Sequence, residues 1–246
     1  MPDIYNYFLN LGTSKYGKYF LMELVQPSID FFGLRIDEPV TTVTDLLVSS
    51  VCFYAFYQLN KIPLKNNVHW NLKYYFLSMG MATLIGGVIG HGFLYLFSFA
   101  WKLPGWLTSM FSIALLERAS ILYAKPLIKP KVGNFFAWMN IIELSTFVIV
   151  TFSTLNFFFV EVHSAYGLLI IVTSFNYVVY RKRKTEASKL FLMAVGVSAI
   201  SALIFMNEIG ISIWFNHFDI SHILMSISAF IFYRGSLKMI EDPQRK

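Results

Sequence analysis

The sequence holds a single cysteine, Cys52, in 246 residues. No internal disulfide can form, and no redox or cysteine-based metal motif is available. Charge is also scarce. Asp, Glu, Lys and Arg together make up 14% of the chain, against about 25% in ordinary soluble domains. There is no internal repeat and no low-complexity tract. These shortages exclude a disordered chain, a disulfide scaffold and a typical soluble enzyme. What is present is apolar. Hydrophobic residues make up 56% and aromatics 18%, with 25 Phe and a mean hydropathy of +0.57. This composition predicts an all-α integral membrane protein.

A helix needs about 20 apolar residues to cross a bilayer. Seven segments meet or approach that length: 43–59, 73–100, 105–124, 135–155, 160–180, 189–214 and 219–238. They predict a seven-transmembrane-helix bundle over residues 43–240. Between the fourth and fifth spans the chain is apolar almost without a break, and Glu161, His163 and Ser164 mark the expected turn. Residues 1–42 are expected to form an N-terminal interfacial segment. Residues 4–26 mix apolar and polar groups, with Lys15 and Lys18 inside the run. A secretory signal would place its positive charge before an unbroken apolar core. Tyr5, Tyr7, Phe8, Phe20 and Leu21 instead suit the membrane surface. Residues 241–246 form a short tail.

The basic residues sort by loop. Lys61, Lys65 and Lys73 lie between spans one and two, and Arg118, Lys125, Lys129 and Lys131 at or after the end of span three. Arg181, Lys182, Arg183, Lys184 and Lys189 join spans five and six, and Arg234, Lys238, Arg245 and Lys246 close the chain. The opposite side has only Lys15, Lys18, Arg35 and Lys102. The positive-inside rule then puts the N-terminus outside and the C-terminus in the cytoplasm. A bacterial inner membrane is the expected setting. The net charge of +6 is explained by topology and anionic lipid, so membrane lipid is the expected partner and nucleic acid is not.

Ionisable groups inside a span are costly and mark function by default. On this topology His91 lies in the outer half of span two, and Asn207 and Glu208 near the outer end of span six. His217, Asp219 and His222 begin span seven, while Asp45 opens span one and His163 opens span five at the same face. His69 falls in a cytoplasmic loop and is expected to be solvated. Imidazoles and carboxylates at one depth are what a zinc site requires, three of them as ligands with a fourth position left for water. The candidate ligands are His91, His217 and His222, with Asp219 as a substitute. Glu208 or Asp45 is the candidate general base. Asp219 and His222, three residues apart, share a helix face. His217 can join them only from the preceding loop.

Each group also has a plainer reading. His91 follows Gly86, Gly87 and Gly90, and Gly86-xxx-Gly90 is a helix-packing motif. Asp219 and Asp45 are placed to cap helices, and His217 could be a loop residue. Glu117 and Arg118 are expected near the cytoplasmic end of span three. Glu143, with Asn140, is expected in the middle of span four, facing the bundle interior.

Seven spans with the segment His217-Phe-Asp-Ile-Ser-His222-Ile-Leu-Met-Ser-Ile-Ser-Ala-Phe resemble the alkaline ceramidase and adiponectin-receptor superfamily of intramembrane hydrolases. The resemblance implies a zinc held by one second-span and two seventh-span histidines, with His91 and His222 in two of those roles. That family spaces its seventh-span histidines four apart, whereas here Phe218 holds that place and His217 is one residue further back. Gly87 stands where the family's second span has Ser, and its third-span acid has no counterpart at the expected depth. The expected function is a zinc-dependent hydrolase of a lipid amide or ester, with substrate entering from the outer leaflet. The alternatives are a non-catalytic seven-span protein with a buried polar network, and a haem protein with His91 and His222 as axial ligands.

Overall fold

The computed structural model describes residues 26–242. The expected interfacial anchors Tyr5 to Leu21, and the last four residues, lie outside the described residues. The described part opens with a hairpin, β1 (Ile29–Phe31) paired antiparallel with β2 (Leu34–Ile36). Phe32 (φ 54) and Gly33 (φ 81) form its two-residue turn. Two central residues with positive φ match the right-handed twist of the strands. The Phe32 side chain is 96% exposed at the tip.

Seven helices follow, each long and apolar enough to cross a membrane: α1 (Pro39–Asn60), α2 (Asn67–Gly92), α3 (Phe99–Leu127), α4 (Pro130–Thr154), α5 (Phe158–Arg183), α6 (Glu186–Met206) and α7 (His217–Glu241). In a bilayer every backbone polar group must be satisfied within the protein, which favours this all-helical solution. The starts are encoded locally. Pro39 and Pro130 sit at the first turns of α1 and α4, where a missing N–H costs nothing. Asn66 caps α2 by accepting from Val68 N and His69 N, each at 3.0 Å. Thr185 caps α6 by accepting from Ser188 N. α7 begins with a full capping box, Asn216 with Asp219.

Four sequence expectations are corrected here. α2 ends at Gly92 and not at 100, and residues 94–96 form a separate 3-10 turn. α6 ends at Met206, so Asn207 and Glu208 lie beyond it, Glu208 with φ 51. The apolar residues Ile209, Ile211 and Trp214 that stretched the hydropathy signal are exposed in the loop before α7. The α4–α5 turn is at Leu155 to Phe157, with Leu155 in the left-handed region (φ 52), so Glu161 and His163 lie inside α5. His69 is fully buried and not solvated. Its Nε2–H donates to the Leu59 carbonyl at 3.0 Å, tying α2 back to α1.

α7 packs between α1 and α6, α2 packs between α1 and α3, and α5 joins α3 to α6. α3 is the central helix, 67% of its most apolar stretch being buried. α4 lies at the edge, 11% buried, and packs chiefly on α3 and α5. The core runs through Cys52, Phe76, Leu116, Phe191, Phe232 and Met239. Two helices contain π turns: α2 over Gly86–Gly92 and α5 over Tyr166–Val172. Such widened turns are rare and concentrate at functional positions.

Candidate functional site

Three helices meet at the end of the bundle where α1 and α7 start. The π turn of α2 carries His91 there, the first turns of α1 carry Thr41, Thr44 and Asp45, and α7 carries His222. Gly87 makes the approach possible. A Cβ at that position would lie 2.8 Å from Asp45 Cβ and 3.2 Å from the Thr42 carbonyl. Gly86 and Gly90, the pair the sequence singles out, have looser surroundings, with nearest atoms at 3.5 and 3.9 Å. Within the Gly86–Gly90 stretch the close contact of α2 with α1 therefore belongs to Gly87, and Gly80 makes a second one lower down, against Phe53 and Cys52.

Asp45 sits between the two imidazoles. His222 Nε2 is 3.5 Å from Asp45 Oδ1, and His91 Nε2 is 3.9 Å from Asp45 Oδ2. The ring centroids are 6.3 Å apart with an interplanar angle of 72°. The other nitrogen of each ring is held from behind. His91 Nδ1 is hydrogen-bonded to Glu38. His222 Nδ1 is 3.1 Å from Thr44 Oγ1. Thr41 donates to Asp219 Oδ1 at 2.9 Å, and Thr44 reaches the same oxygen at 3.5 Å. Both rings are thus locked with Nε2 aimed at one carboxylate. The imidazoles keep 13–14% side-chain exposure and Asp45 8%, so the group is enclosed without being sealed.

Glu38 precedes α1 with φ 42, a conformation sparsely populated by non-glycine residues and often found at functional sites. Burial opposes charging its carboxyl. The hydrogen bond and charge of His91, with Lys102 and His217, outweigh that and hold Glu38 below the usual carboxylate range. Lys102 acts electrostatically on both Glu38 and Asp45 from the start of α3.

The remaining candidates stand apart. Asp219 is buried and saturated: Oδ2 accepts from Asn216 N at 2.7 Å and from Gln26 Nε2 at 3.3 Å, while Oδ1 takes the threonines. It caps α7 and has no oxygen free for a metal. His217 is the first residue of α7. Phe218 packs against His91 (5.6 Å) and against His217 (4.4 Å), which keeps the two imidazoles apart. Glu208 is exposed in the loop and acts on His217, remote from Asp45. The structure therefore brings together His91, His222 and Asp45, and leaves out His217, Asp219 and Glu208.

Sequence reasoning missed Glu38, Thr41, Thr44 and Gln26. Glu38 precedes Pro39 immediately, a helix-start signature that would have placed its carboxylate at the head of α1. His163 lies elsewhere, fully buried among α3, α4 and α5.

A family model described as a family of unknown function (DUF6962) matches residues 40–241. No curated protein and no solved structure shows significant similarity.

Proposed function

The chain belongs to that family of unknown function, so its own residues must carry the reading, and we propose that it is a zinc-dependent intramembrane hydrolase of a lipid amide or ester. One observation supports this above all. Two histidines from different helices aim Nε2 at the same carboxylate, while hydrogen bonds fix both Nδ1 atoms. Metal-binding histidines are commonly oriented in this way, by a carboxylate or another acceptor on the second ring nitrogen.

His91, His222 and Asp45 would hold the ion as a two-histidine, one-carboxylate set, the donor combination of many catalytic zinc sites. A zinc bound there would polarise a carbonyl and lower the pKa of a bound water towards about 7. Glu38 keeps His91 in the tautomer with its proton on Nδ1. Thr44, whose hydroxyl donates to the Thr41 carbonyl at 3.0 Å, does the same for His222. Asp45 would hold the ion through one oxygen, leaving the other as a proton acceptor. Lys102 offsets the negative charge of Glu38 and Asp45.

The surroundings suit a lipid. Phe31, Phe32 and Leu34 of the hairpin, Leu96 and Phe97 before α3, and Phe99 and Trp101 at its start are exposed at this end. Aromatic residues of this kind settle at the bilayer surface. Most basic residues lie at the other end of the bundle, so the same rule makes the site face away from the cytoplasm, with the C-terminus inside. An inner cell membrane fits that charge pattern.

The test is elemental analysis of the detergent-purified full-length protein, as wild type and as His91→Ala, His222→Ala and Asp45→Asn, with a mass-spectrometric screen of ceramides and lipid esters. One zinc fewer per chain in each of the three variants, together with turnover lost in parallel, is the expected result. Wild-type zinc unchanged in these variants sinks the reading and leaves a polar network that only staples α1, α2 and α7.

A further inference from the structure

A second histidine–carboxylate group lies among α3, α4 and α5, and it shares no residue with the site above. Glu117 comes from α3, Glu143 from α4 and His163 from α5. One ligand-type atom of each lies within 4.8 Å of the other two. His163 and Glu117 are fully buried, and Glu143 is 9% exposed.

The hydrogen bonds say which atoms are spoken for. His163 Nε2 lies 2.9 Å from the Met110 carbonyl. A carbonyl only accepts, so Nε2 carries a proton and Nδ1 is the nitrogen that faces Glu143 Oε1, at 2.5 Å. Glu117 Oε2 accepts from Asn140 Nδ2 at 3.1 Å. Asn140 is itself fixed, donating also to the Ala114 carbonyl at 3.1 Å and accepting from Arg118 Nε at 3.1 Å. The other two carboxylate oxygens, Glu117 Oε1 and Glu143 Oε2, are buried without a hydrogen-bond partner. Buried polar atoms are almost always satisfied, and an exception calls for an ion or another missing partner.

The backbone makes room for the group. A Cβ at Gly167, in the π turn of α5, would lie 2.5 Å from Glu117 Oε1. The carboxylate therefore lies directly against the backbone of α5. Two carboxylates and an imidazole also carry a charge of about −2 in an apolar interior when all are in ligand form, which a divalent cation neutralises.

We propose that Glu117, Glu143 and His163 bind a first-row divalent cation that clamps α4 to α3 and α5. One imidazole nitrogen and carboxylate oxygens suit zinc or manganese. Calcium wants six to eight oxygens and is poorly served by this set. Zinc ligands stand roughly 3.3 Å apart around the ion, as follows from bonds of about 2.1 Å. Atoms that already lie within 4.8 Å of one another reach that spacing by small side-chain rotations, with Glu143 turning from its contact with Nδ1. α4 has little other burial, so the clamp would hold a helix that lipid otherwise surrounds.

The experiment uses the full chain in detergent with His222→Ala, which removes the proposed hydrolase site. After dialysis against zinc and then against buffer, this protein should retain about one zinc, three protein ligands being enough to hold the ion. Adding Glu143→Gln should cut retention at least tenfold, as should adding Glu117→Gln. Zinc absent from the His222→Ala protein overturns the proposal and leaves His163 and Glu143 sharing a proton only. Zinc retained in both doubly substituted proteins overturns it as well. X-ray absorption at the zinc edge of the His222→Ala protein does not depend on how the other variants fold. It should show one imidazole with oxygen neighbours, and a shell without imidazole overturns the proposal. The two sites fail separately: loss of zinc only in Glu143→Gln rejects the hydrolase site, and loss only in His222→Ala rejects the clamp.

Discussion

The group around Asp45 and the group around Glu143 use the same residue types in opposite ways. Near Asp45, every imidazole nitrogen that points away from the centre is held, and the rings keep a margin of exposure. Around Glu143 the imidazole is sealed, and two carboxylate oxygens have no partner. The first arrangement is organised from outside, and its imidazoles stay partly exposed around a buried Asp45. The second is closed, with the unmet hydrogen-bonding capacity inside it, as a structural ion site requires. Both lie beside a π turn with a glycine at the point of closest approach, Gly87 in one and Gly167 in the other. The accessibility of the histidine separates the two, more than its chemistry does.

The sharpest way to break this comparison is to remove one centre and watch the other. Asp45→Asn should lower zinc affinity at the Asp45 group more than about 100-fold, exceeding the 10–100-fold typical of second-sphere changes. The Glu143 group should keep its metal, and stoichiometry by elemental analysis reads both. Glu38→Gln touches only the support of His91. It should weaken zinc binding about 10–100-fold, measured by competition with a zinc chelator. Packing then separates the glycines. Gly87→Val and Gly167→Val each force a side chain into an occupied place and should destabilise the fold by about 1–3 kcal/mol. Gly86→Ala, with its nearest atom at 3.5 Å, should change stability by less than about 0.5 kcal/mol. Thermal unfolding in detergent compares the three. Asp219→Ala removes a capping box and should cost about 0.5–2 kcal/mol in the same assay. A loss of zinc far larger than the Thr44 link to His222 can transmit would show that Asp219 does more than cap.

Much of the architecture was legible in the sequence, because a run of apolar residues long enough to cross a bilayer has few other uses. The seven helices appear where hydropathy puts them. Their ends do not, and the reasons are local. Residues 95–98 and 209–214 extend the apolar runs but lie exposed outside the spanning helices, where hydropathy alone cannot tell surface aromatics from spanning ones. The turn at Leu155 depends on one left-handed residue with no glycine or proline to announce it. That error moved His163 to a helix start and hid its meeting with Glu143. Asp45, His91 and His222 were legible as ionisable groups inside apolar helices. Their grouping without His217 was not, since it depends on where the Phe218 ring falls. Glu38 was overlooked because it lies before the first span, and only the fold brings it to His91.

The π turns have a consequence for register. Each behaves as an α-helix with residues added within a turn, so everything downstream is rotated relative to an uninterrupted helix. If Tyr166–Val172 wound as a regular α-helix without losing a residue, Thr173–Arg183 would swing by about 100° around the axis. Phe175, Asn176 and Val179, now buried, would turn towards lipid. The interior face of the second half of α5 is therefore set by the phase of a widened turn seven residues long. A chain one residue shorter there winds as a regular helix and keeps the same residues facing inward.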